Sequence, residues 1–293
     1  MKEIVVMSGK GGTGKTSIAA ALGVLAGTDA VVADCDVDAA NMHLLYTPNI
    51  ERANEFWSGK TAVIEDSACL GCGICEQQCR FDAITEKDGV YRVDEVACEG
   101  CSLCHYMCPE DAIAMMDERA GDWFVSKSRF DSWFVHARLG IGQENSGKLV
   151  SKVKDEAKAL AATEKIPYLI IDGPPGIGCP AIASVSGADH VLVVTEATRS
   201  GLHDLERLID LVEYFKTPAS CVVNKFEVNP EAGRRIIDLC GERGVDVITT
   251  IPYDGVFSEA LRAGKTLTET DNRVIVGKIE EIWKHLQREG GTS

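Results

Sequence analysis

Eight of the chain's twelve cysteines lie between positions 69 and 108, with a spacing suited to metal ligation. They form two runs of the pattern C-x₂-C-x₂-C-x₃-C, displaced by 29 residues: Cys69, Cys72, Cys75 and Cys79, then Cys98, Cys101, Cys104 and Cys108. In this spacing two 4Fe–4S clusters are bound, and the fourth cysteine of each run ligates the other cluster. We therefore predict one cluster on Cys69, Cys72, Cys75 and Cys108, and a second on Cys98, Cys101, Cys104 and Cys79.

Zinc is the alternative metal for these cysteines. Zinc sites usually combine two separated C-x₂-C pairs rather than one continuous four-cysteine run, so the spacing favours iron–sulfur clusters. Disulfides are the weaker expectation, because we expect a cytoplasmic chain and that compartment is reducing. Of the other cysteines, Cys35, Cys221 and Cys240 stand in apolar contexts and are predicted to be buried.

A glycine-rich segment near the N-terminus has the pattern G-x-x-x-x-G-K-T, from Gly9 to Thr16. It follows the apolar run 4–7 and precedes a helical composition at 16–25, which is the strand–loop–helix context of a phosphate loop. Backbone N–H groups and the helix N-terminus can then surround phosphate oxygens. Lys15 is expected to reach the β- and γ-phosphates, and the Thr16 hydroxyl to ligate Mg²⁺.

With a second lysine at position 10, the loop resembles the deviant phosphate loop of the MinD/ParA family, which includes the nitrogenase iron protein and Mrp-type cluster carriers. The resemblance implies that Lys10 contacts the nucleotide across a dimer interface. It implies an ATP and Mg²⁺ site that includes the loop residues Gly9, Lys10, Gly11, Gly12, Thr13, Gly14, Lys15, Thr16 and Ser17.

The resemblance continues at the ends of later strands. Asp34-Cys35-Asp36 resembles the family's first switch, in which Asp36 orients the attacking water; Asn41 matches a following asparagine, and Asp38 is an additional acid without an assigned role. Lys10, Lys15 and Asp36 are thus the implied catalytic residues. The remaining implied contacts are Asp172 near Mg²⁺, Asn224 at the adenine, and Pro252, Tyr253 and Asp254 in a loop over the base.

The strand and helix patterns predict an α/β fold with a doubly wound, mostly parallel sheet. Buried strands are expected at 30–33, 168–171, 190–194, 220–223 and 247–251, and a helix at 202–215. Residues 60–118 interrupt this rhythm and are predicted to be an inserted, small α+β module like a bacterial ferredoxin, within an ATPase domain of residues 1–59 and 119–293. Residues 123–139 are expected to form a hairpin or strand pair.

Charge and composition narrow the possible partners. The net charge is −15, and residues 60–118 contribute −9 of it. Because nucleic-acid surfaces need clustered Lys and Arg, no nucleic-acid partner is expected. There is no apolar run of eighteen residues and no signal-peptide pattern at the N-terminus, so no membrane partner and a cytoplasmic location are expected.

Nearly the whole chain resembles MinD-superfamily ATPases with an inserted ferredoxin domain. The implied function is a Mg²⁺-dependent ATPase in which dimer closure is coupled to electron transfer through two 4Fe–4S clusters. The alternatives are a scaffold or carrier for metallocofactor assembly and a MinD/ParA-like positioning ATPase. A homodimer, or a heterodimer with a paralogue, and an unknown redox or metallocofactor protein are the expected partners.

Cys179 matches, by its offset from Asp172, a bridging-cluster ligand of the nitrogenase iron protein, but we expect a packed loop cysteine instead.

Overall fold

The computed structural model describes residues 1–140 and 146–288, which fall into two compact units. The first unit comprises residues 1–54, 123–138 and 146–293, and the second comprises residues 55–122 and 139–145. The segment 60–118, predicted from sequence to be an inserted module, falls inside the second unit. Its identity as a ferredoxin-like domain stays a prediction.

The described residues contain eleven strands and ten α-helices. The strands are β1 (Lys2–Ser8), β2 (Ala30–Asp34), β3 (Asn49–Ile64), β4 (Ile84–Lys87), β5 (Val90–Val93), β6 (Ile113–Lys127), β7 (Trp133–Leu139), β8 (Tyr168–Pro175), β9 (His190–Glu196), β10 (Ala219–Asn224) and β11 (Asp246–Thr250). The helices are α1 (Lys15–Ala26), α2 (Met42–Tyr46), α3 (Ile74–Gln78), α4 (Leu103–Met107), α5 (Ser146–Glu164), α6 (Cys179–Val185), α7 (Arg199–Phe215), α8 (Pro230–Glu242), α9 (Val256–Arg262) and α10 (Arg273–Arg288).

Nine strands form one sheet in the order β11-β10-β9-β1-β8-β2-β7-β6-β3. Strand β1 pairs in parallel with β8 and β9, β2 with β7 and β8, and β10 with β9 and β11. The predicted α/β class with a mostly parallel sheet is therefore confirmed. In this register Asp34 lies opposite Asp172, so the ends of β2 and β8 bring two acidic residues side by side.

The first unit has its core around the central strands. Residues 4–7 of β1 and 169–171 of β8 are apolar and fully buried, as expected when helices cover both faces of a parallel sheet. The last helix, α10, contributes an apolar stripe at helical spacing to the same core: Ile275, Ile279, Ile282, Trp283 and Leu286. Among the described residues, none of the helices combines the length and apolarity needed to cross a bilayer.

Two long strands at one edge of the sheet were not anticipated in full. Strand β3 has sixteen residues and β6 has fifteen, and each continues from one unit into the other. The strand pair expected at 123–139 is present as the end of β6 followed by β7. Ser128 and Ser132 close the turn between them through a backbone hydrogen bond of 2.9 Å and a hydroxyl pair at 2.8 Å.

The second unit repeats its backbone with the 29-residue period of its sequence. Helix α3 is displaced from α4 by that interval, and each helix follows a residue with positive φ, Gly73 (75°) or Ser102 (66°). Strands β4 and β5 form an antiparallel hairpin. The apolar core of this unit is small: Ala62, Ile64, Cys75, Ile84 and Ile113, with five further cysteines packed against it.

A buried ion pair ties three elements of the first unit together. Glu3 on β1 is 2% exposed, and its carboxylate lies 2.7 Å from the Lys154 ammonium and 2.6 Å from that of Lys158. Lys154 also donates hydrogen bonds of 2.6 Å to the carbonyls of Ser184 and Ser186, at the end of α6. This lysine therefore satisfies both a buried carboxylate and the last carbonyls of a helix.

We expect Lys154→Ala to lower the free energy of unfolding by about 3–5 kcal/mol, because it leaves the Glu3 charge buried without its main partner. Lys158→Ala, at a side chain that is 34% exposed, should cost only about 1 kcal/mol. Denaturant unfolding followed by circular dichroism measures both. The double variant Glu3→Gln/Lys154→Met should recover much of the loss; if it is as unstable as Lys154→Ala, the ion pair is not the cause.

Candidate nucleotide site and two cysteine-lined cavities

The predicted phosphate loop lies between β1 and α1, at the carboxyl edge of the parallel sheet. Gly12 and Gly14 have φ values of 81° and 94°, a region that residues with a side chain rarely adopt. The loop is closely surrounded, since a Cβ on Gly14 would lie 2.6 Å from Nδ2 of Asn224. Alanine at this position would therefore be strained in both its backbone and its contacts.

Two side chains at the end of β10 hold the loop's carbonyls, one from its last residue and one from the residue that follows. Nδ2 of Asn224 donates to the Thr13 carbonyl at 2.7 Å, and Nζ of Lys225 donates to the Gly12 carbonyl at 2.8 Å. In a trans peptide the C=O and N–H groups point in opposite directions. The N–H groups of Thr13 and Gly14 are therefore turned away from these side chains, the arrangement an anion-binding loop requires.

Lys15 lies buried among carboxylates at the first turn of α1. Its ammonium is 2.6 Å from Oδ1 of Asp172 and 3.5 Å from Oδ2 of Asp36, and the side chain is only 5% exposed. Burial alone would lower the pKa of Lys15, but the charges of Asp172, Asp36 and Asp34 outweigh it and raise the pKa. Lys15 is therefore a permanent cation in this site.

The three acidic residues near Lys15, namely Asp34, Asp36 and Asp172, have this one lysine as their neighbouring cation. Burial and the charge of Asp172 raise the pKa of Asp34 to about 8, although Lys15 acts in the opposite direction. Burial likewise raises the pKa of Asp172, whose Oδ2 is buried and has no hydrogen-bond partner among the residues described. An orphaned carboxylate oxygen beside the phosphate loop fits a divalent cation, for which hard oxygen ligands are preferred.

Asp34 is a site residue that the sequence reasoning did not single out. Its Oδ1 accepts a hydrogen bond from the Asp36 amide and its Oδ2 from the Met42 amide, both at 3.2 Å. It therefore orders the loop that carries Asp36 and the start of α2. Asn41 is exposed at the N-terminus of α2, and its side chain makes no capping hydrogen bond. Its position at the end of a predicted strand, like that of Asp172, could have identified Asp34 as a site residue.

Lys10 is engaged within its own chain. Its ammonium lies 2.5 Å from Oε1 of Glu196 and 2.7 Å from the Ser200 hydroxyl. The other oxygen of Glu196 lies 2.9 Å from Nζ of Lys225, so one carboxylate holds both lysines that flank the loop. The pKa of Glu196 is lowered, because the two lysines outweigh the effect of its partial burial.

Some of the residues expected to contact the base already make hydrogen bonds within the chain. Both ends of the Asn224 amide are used, since its Oδ1 accepts from the Lys225 amide. Asp254 accepts hydrogen bonds from the Val256 amide and the Asn272 side chain, so it orders its own loop. Tyr253 is 63% exposed and is the one aromatic ring of the predicted base loop that is open to solvent.

The eight spaced cysteines line two open cavities in the second unit. The first, of about 370 Å³, is lined by Cys69, Cys72, Cys75 and Cys108 together with apolar residues that include Ile64 and Ile113. The second, of about 350 Å³, is lined by Cys98, Cys101, Cys104 and Cys79, with Ala62 and Met115 among the others. No Lys or Arg appears in either lining among the described residues.

A single metal ion does not suit these cavities. Within residues 1–140 and 146–288, no group of three or more His, Cys, Asp or Glu side chains converges on a point where one ion could be held. A zinc site needs its sulfurs about 2.3 Å from one centre, whereas the thiolates around a cubane bind separate iron corners.

The four other cysteines lie in the first unit. Cys35, Cys221 and Cys240 are fully buried, which confirms the prediction for these three. Cys179 is exposed at the first position of α6. A Cβ on Gly147 would lie 3.4 Å from the Cβ of Cys179, so α5 and α6 approach each other closely at this point.

Comparison with known sequences concerns nearly the whole chain. The family model described as CobQ/CobB/MinD/ParA nucleotide binding domain matches residues 4–267. Protein MJ0578 of Methanocaldococcus jannaschii is 34% identical over 287 residues, covering 97% of this chain and 96% of that protein. Protein MJ0579 of the same organism is 25% identical over 261 residues, covering 78% and 82%. Neither name states a function.

Solved structures share the fold at low sequence identity. The septum site-determining protein MinD of Pyrococcus horikoshii, in complex with Mg-ADP, is 17% identical with a TM-score of 0.60, over 99% of this chain and 97% of that one. The MinD cell division protein of Aquifex aeolicus is 18% identical with a TM-score of 0.58, over 100% and 99%. The ATP complex of a Cyanothece McdA variant is 17% identical with a TM-score of 0.59, over 98% and 96%. The fold is therefore that of MinD/ParA ATPases.

Asn224→Ala separates two roles for this residue. Because its side chain holds the Thr13 carbonyl, we expect the variant to bind ATP and GTP more weakly by the same factor, about tenfold, in titrations with fluorescent nucleotide analogues. Asn229→Ala, which removes the side-chain hydrogen bond to the Ala232 amide at the start of α8, is the matched control. A loss confined to ATP would instead mean that Asn224 reads the adenine ring.

Proposed function

Because the chain belongs to the CobQ/CobB/MinD/ParA nucleotide-binding family, we propose that it is an Mg²⁺-dependent ATPase that couples dimer closure to electron transfer. The electrons would pass through two 4Fe–4S clusters in the second unit. The observation that carries the proposal is the division of eight cysteines into two sets of four, each set around its own cavity in the crossed pattern of a two-cluster protein.

The nucleotide half of the proposal assigns a role to each buried charge. The phosphates would lie against the N–H groups of the loop and draw the Lys15 ammonium from Asp172. The Thr16 hydroxyl and the unpartnered oxygen of Asp172 would then hold Mg²⁺, directly or through water. Asp36, the most exposed of the three carboxylates near Lys15, would orient the attacking water.

In the second unit the residues fit the proposed clusters. When bound, the clusters supply one-electron transfer. The cysteine thiolates hold them, short turns of the two repeats bring three thiolates of each set together, and Ile64, Ile113 and Met115 keep the walls apolar. A small core of five residues also needs such a group, because metal binding adds folding free energy to a unit with few apolar contacts.

The chain itself offers a route by which nucleotide state could reach the cavities. The Met42 amide is held by Asp34, α2 follows at once, and only Thr47 and Pro48 separate α2 from β3. Sixteen residues later the same strand ends at Ile64, which lines the first cavity, having passed Ala62, which lines the second. A rearrangement of the first switch would therefore pull directly on a strand that forms part of both cavity walls.

A dimer is part of the proposal. Lys10 would leave Glu196 and contact the nucleotide of a second subunit, either the same chain or a paralogue. Two similar proteins of one organism, at 34% and 25% identity, make a paralogous partner a reasonable second form.

The two competing functions make different use of the cysteines. A carrier for cofactor assembly would release its clusters to an acceptor protein, whereas an electron-transfer protein would keep them. A positioning ATPase is favoured by the family match and by the likeness in fold to MinD, but it assigns no role to the cysteine-lined cavities. The cavities therefore favour electron transfer.

Iron counting on paired variants tests the crossed arrangement. Protein purified without oxygen should contain about eight irons per chain and hydrolyse ATP, and Lys15→Ala should lose the hydrolysis alone. Cys79→Ala/Cys98→Ala, a pair around one cavity, should lose about four irons. Cys79→Ala/Cys69→Ala, a pair across the two, should lose about eight.

Two controls complete this test. Cys179→Ser should leave the iron content unchanged, and incubation with an apo-ferredoxin acceptor should not deplete it. Two zinc ions in place of iron, or equal losses in the two paired variants, would contradict the proposal. Complete transfer of iron to the acceptor would favour the carrier function.

A further inference from the structure

We propose that Glu196 is a positioning residue that holds Lys10 within its own chain and so sets how readily two nucleotide-loaded subunits close. This inference rests on the dimer of the proposed function and deepens it by naming the contact that opposes closure. The observation that carries it is a single carboxylate, at the end of β9, that contacts two lysines beside the phosphate loop.

The backbone around Glu196 is fixed by three neighbours. Glu196 is the last residue of β9 and lies opposite Asn224 of β10 in the sheet. Its carbonyl accepts a hydrogen bond of 2.7 Å from the Thr198 amide, and Gly201 packs so closely against that carbonyl oxygen that a Cβ there would overlap it. Thr198 also caps α7, because its side chain accepts from the Gly201 amide at 3.0 Å. The carboxylate therefore extends from a tightly packed turn.

Both acceptors of the Lys10 ammonium come from this turn, namely Oε1 of Glu196 at 2.5 Å and the Ser200 hydroxyl at 2.7 Å. If Lys10 moves to the nucleotide of another subunit, the ion pair and the hydrogen bond are lost. If the ion pair stays intact, the Glu196 carboxylate lies beside the incoming phosphates and repels them. In either case Glu196 stabilises the open form relative to the closed dimer.

Lys225 allows Glu196 to release Lys10 and still keep a cation. Its Nζ lies 2.9 Å from Oε2 of Glu196 and also donates to the Gly12 carbonyl at 2.8 Å, so its position does not depend on Lys10. The Glu196 side chain is only 12% exposed, and a carboxylate in such a place is costly when it loses its last cation. Because one lysine remains, the contact with Lys10 can be exchanged for a contact with phosphate.

Symmetry increases the effect of this contact on association. A homodimer with a two-fold axis contains the pair of Lys10 and Glu196 twice, and closure acts on both copies. If each pair opposes closure by a factor of about three, the dissociation constant of the dimer is raised by the product, about ninefold. A contact of modest strength in one chain therefore has a measurable effect on dimer formation.

The dissociation constant of the dimer tests the inference. It is measured by analytical ultracentrifugation of the anaerobic protein with saturating Mg²⁺ and ATPγS, a slowly hydrolysed analogue of ATP, so that changes in nucleotide affinity do not affect the result. Glu196→Gln removes the charge and keeps the size of the side chain, and it should tighten the dimer about tenfold. Ser200→Ala removes only a hydrogen bond to Lys10 and should tighten it about twofold.

Two further variants serve as controls. Glu156→Gln removes an ion pair of 2.6 Å with Lys152 within α5 and should leave the dissociation constant within about twofold of the parent. Lys10→Ala/Glu196→Gln should stay as monomeric as Lys10→Ala, because Glu196 acts through Lys10. A damaged fold would weaken association, so a tighter dimer cannot come from a merely structural effect.

The outcomes separate this inference from the proposed function. If the parent dimerises with ATPγS, and Glu196→Gln weakens the dimer or leaves it unchanged, the role of Glu196 is overturned and the proposed function stands. The same holds if Lys10→Ala/Glu196→Gln dimerises where Lys10→Ala does not. If the parent stays monomeric with ATPγS, this inference is overturned and the proposed function keeps only its heterodimeric form.

Discussion

The buried contact between Lys15 and Asp172 is the interaction on which the nucleotide site depends. One ammonium lies among three carboxylates at the carboxyl edge of the sheet, in a place where a charge without a partner is costly. It joins the phosphate loop on α1 to the end of β8, while Asp34 links the same group to the start of α2. An anion that draws Lys15 away must therefore bring a cation to Asp172, which is what a nucleotide with Mg²⁺ does.

The second unit is governed by a different constraint. Its apolar core is small and its surface is strongly acidic, so compactness requires something besides hydrophobic burial. In the proposed function, thiolates around the two cavities would provide the ligands for such a group, and the walls of those cavities are also parts of β3 and β6. Strand β3 has sixteen residues and is separated from α2 only by Thr47 and Pro48. The proposed coupling between nucleotide and clusters is thus a consequence of chain connectivity.

Features that depend on short stretches of sequence were predictable. The phosphate loop and the cysteine runs are local sequence patterns. Buried strands such as 168–171 can be recognised because they are short runs of apolar residues. Strand β3 was missed because the sequence of its first ten residues, 49–58, has no regular alternation of apolar and polar residues, and none of these residues is fully buried. The pairing of Lys10 with Glu196 joins residues 186 positions apart, and no local pattern reports it. Asp34 was not identified because its role is to accept hydrogen bonds from two backbone amides, those of Asp36 and Met42, and no sequence motif indicates such contacts.

The central claim is that nucleotide state and cluster chemistry are coupled, and an EPR-monitored redox titration tests it most directly. The measurement is made on anaerobic protein with and without Mg-ATP, for the parent and for Lys10→Ala, which should bind ATP but not close the dimer. The account predicts that Mg-ATP shifts the midpoint potential or the EPR line shape of the parent and leaves Lys10→Ala unchanged. Identical titrations of the parent with and without Mg-ATP, under conditions in which ATP is bound and hydrolysed, would contradict it.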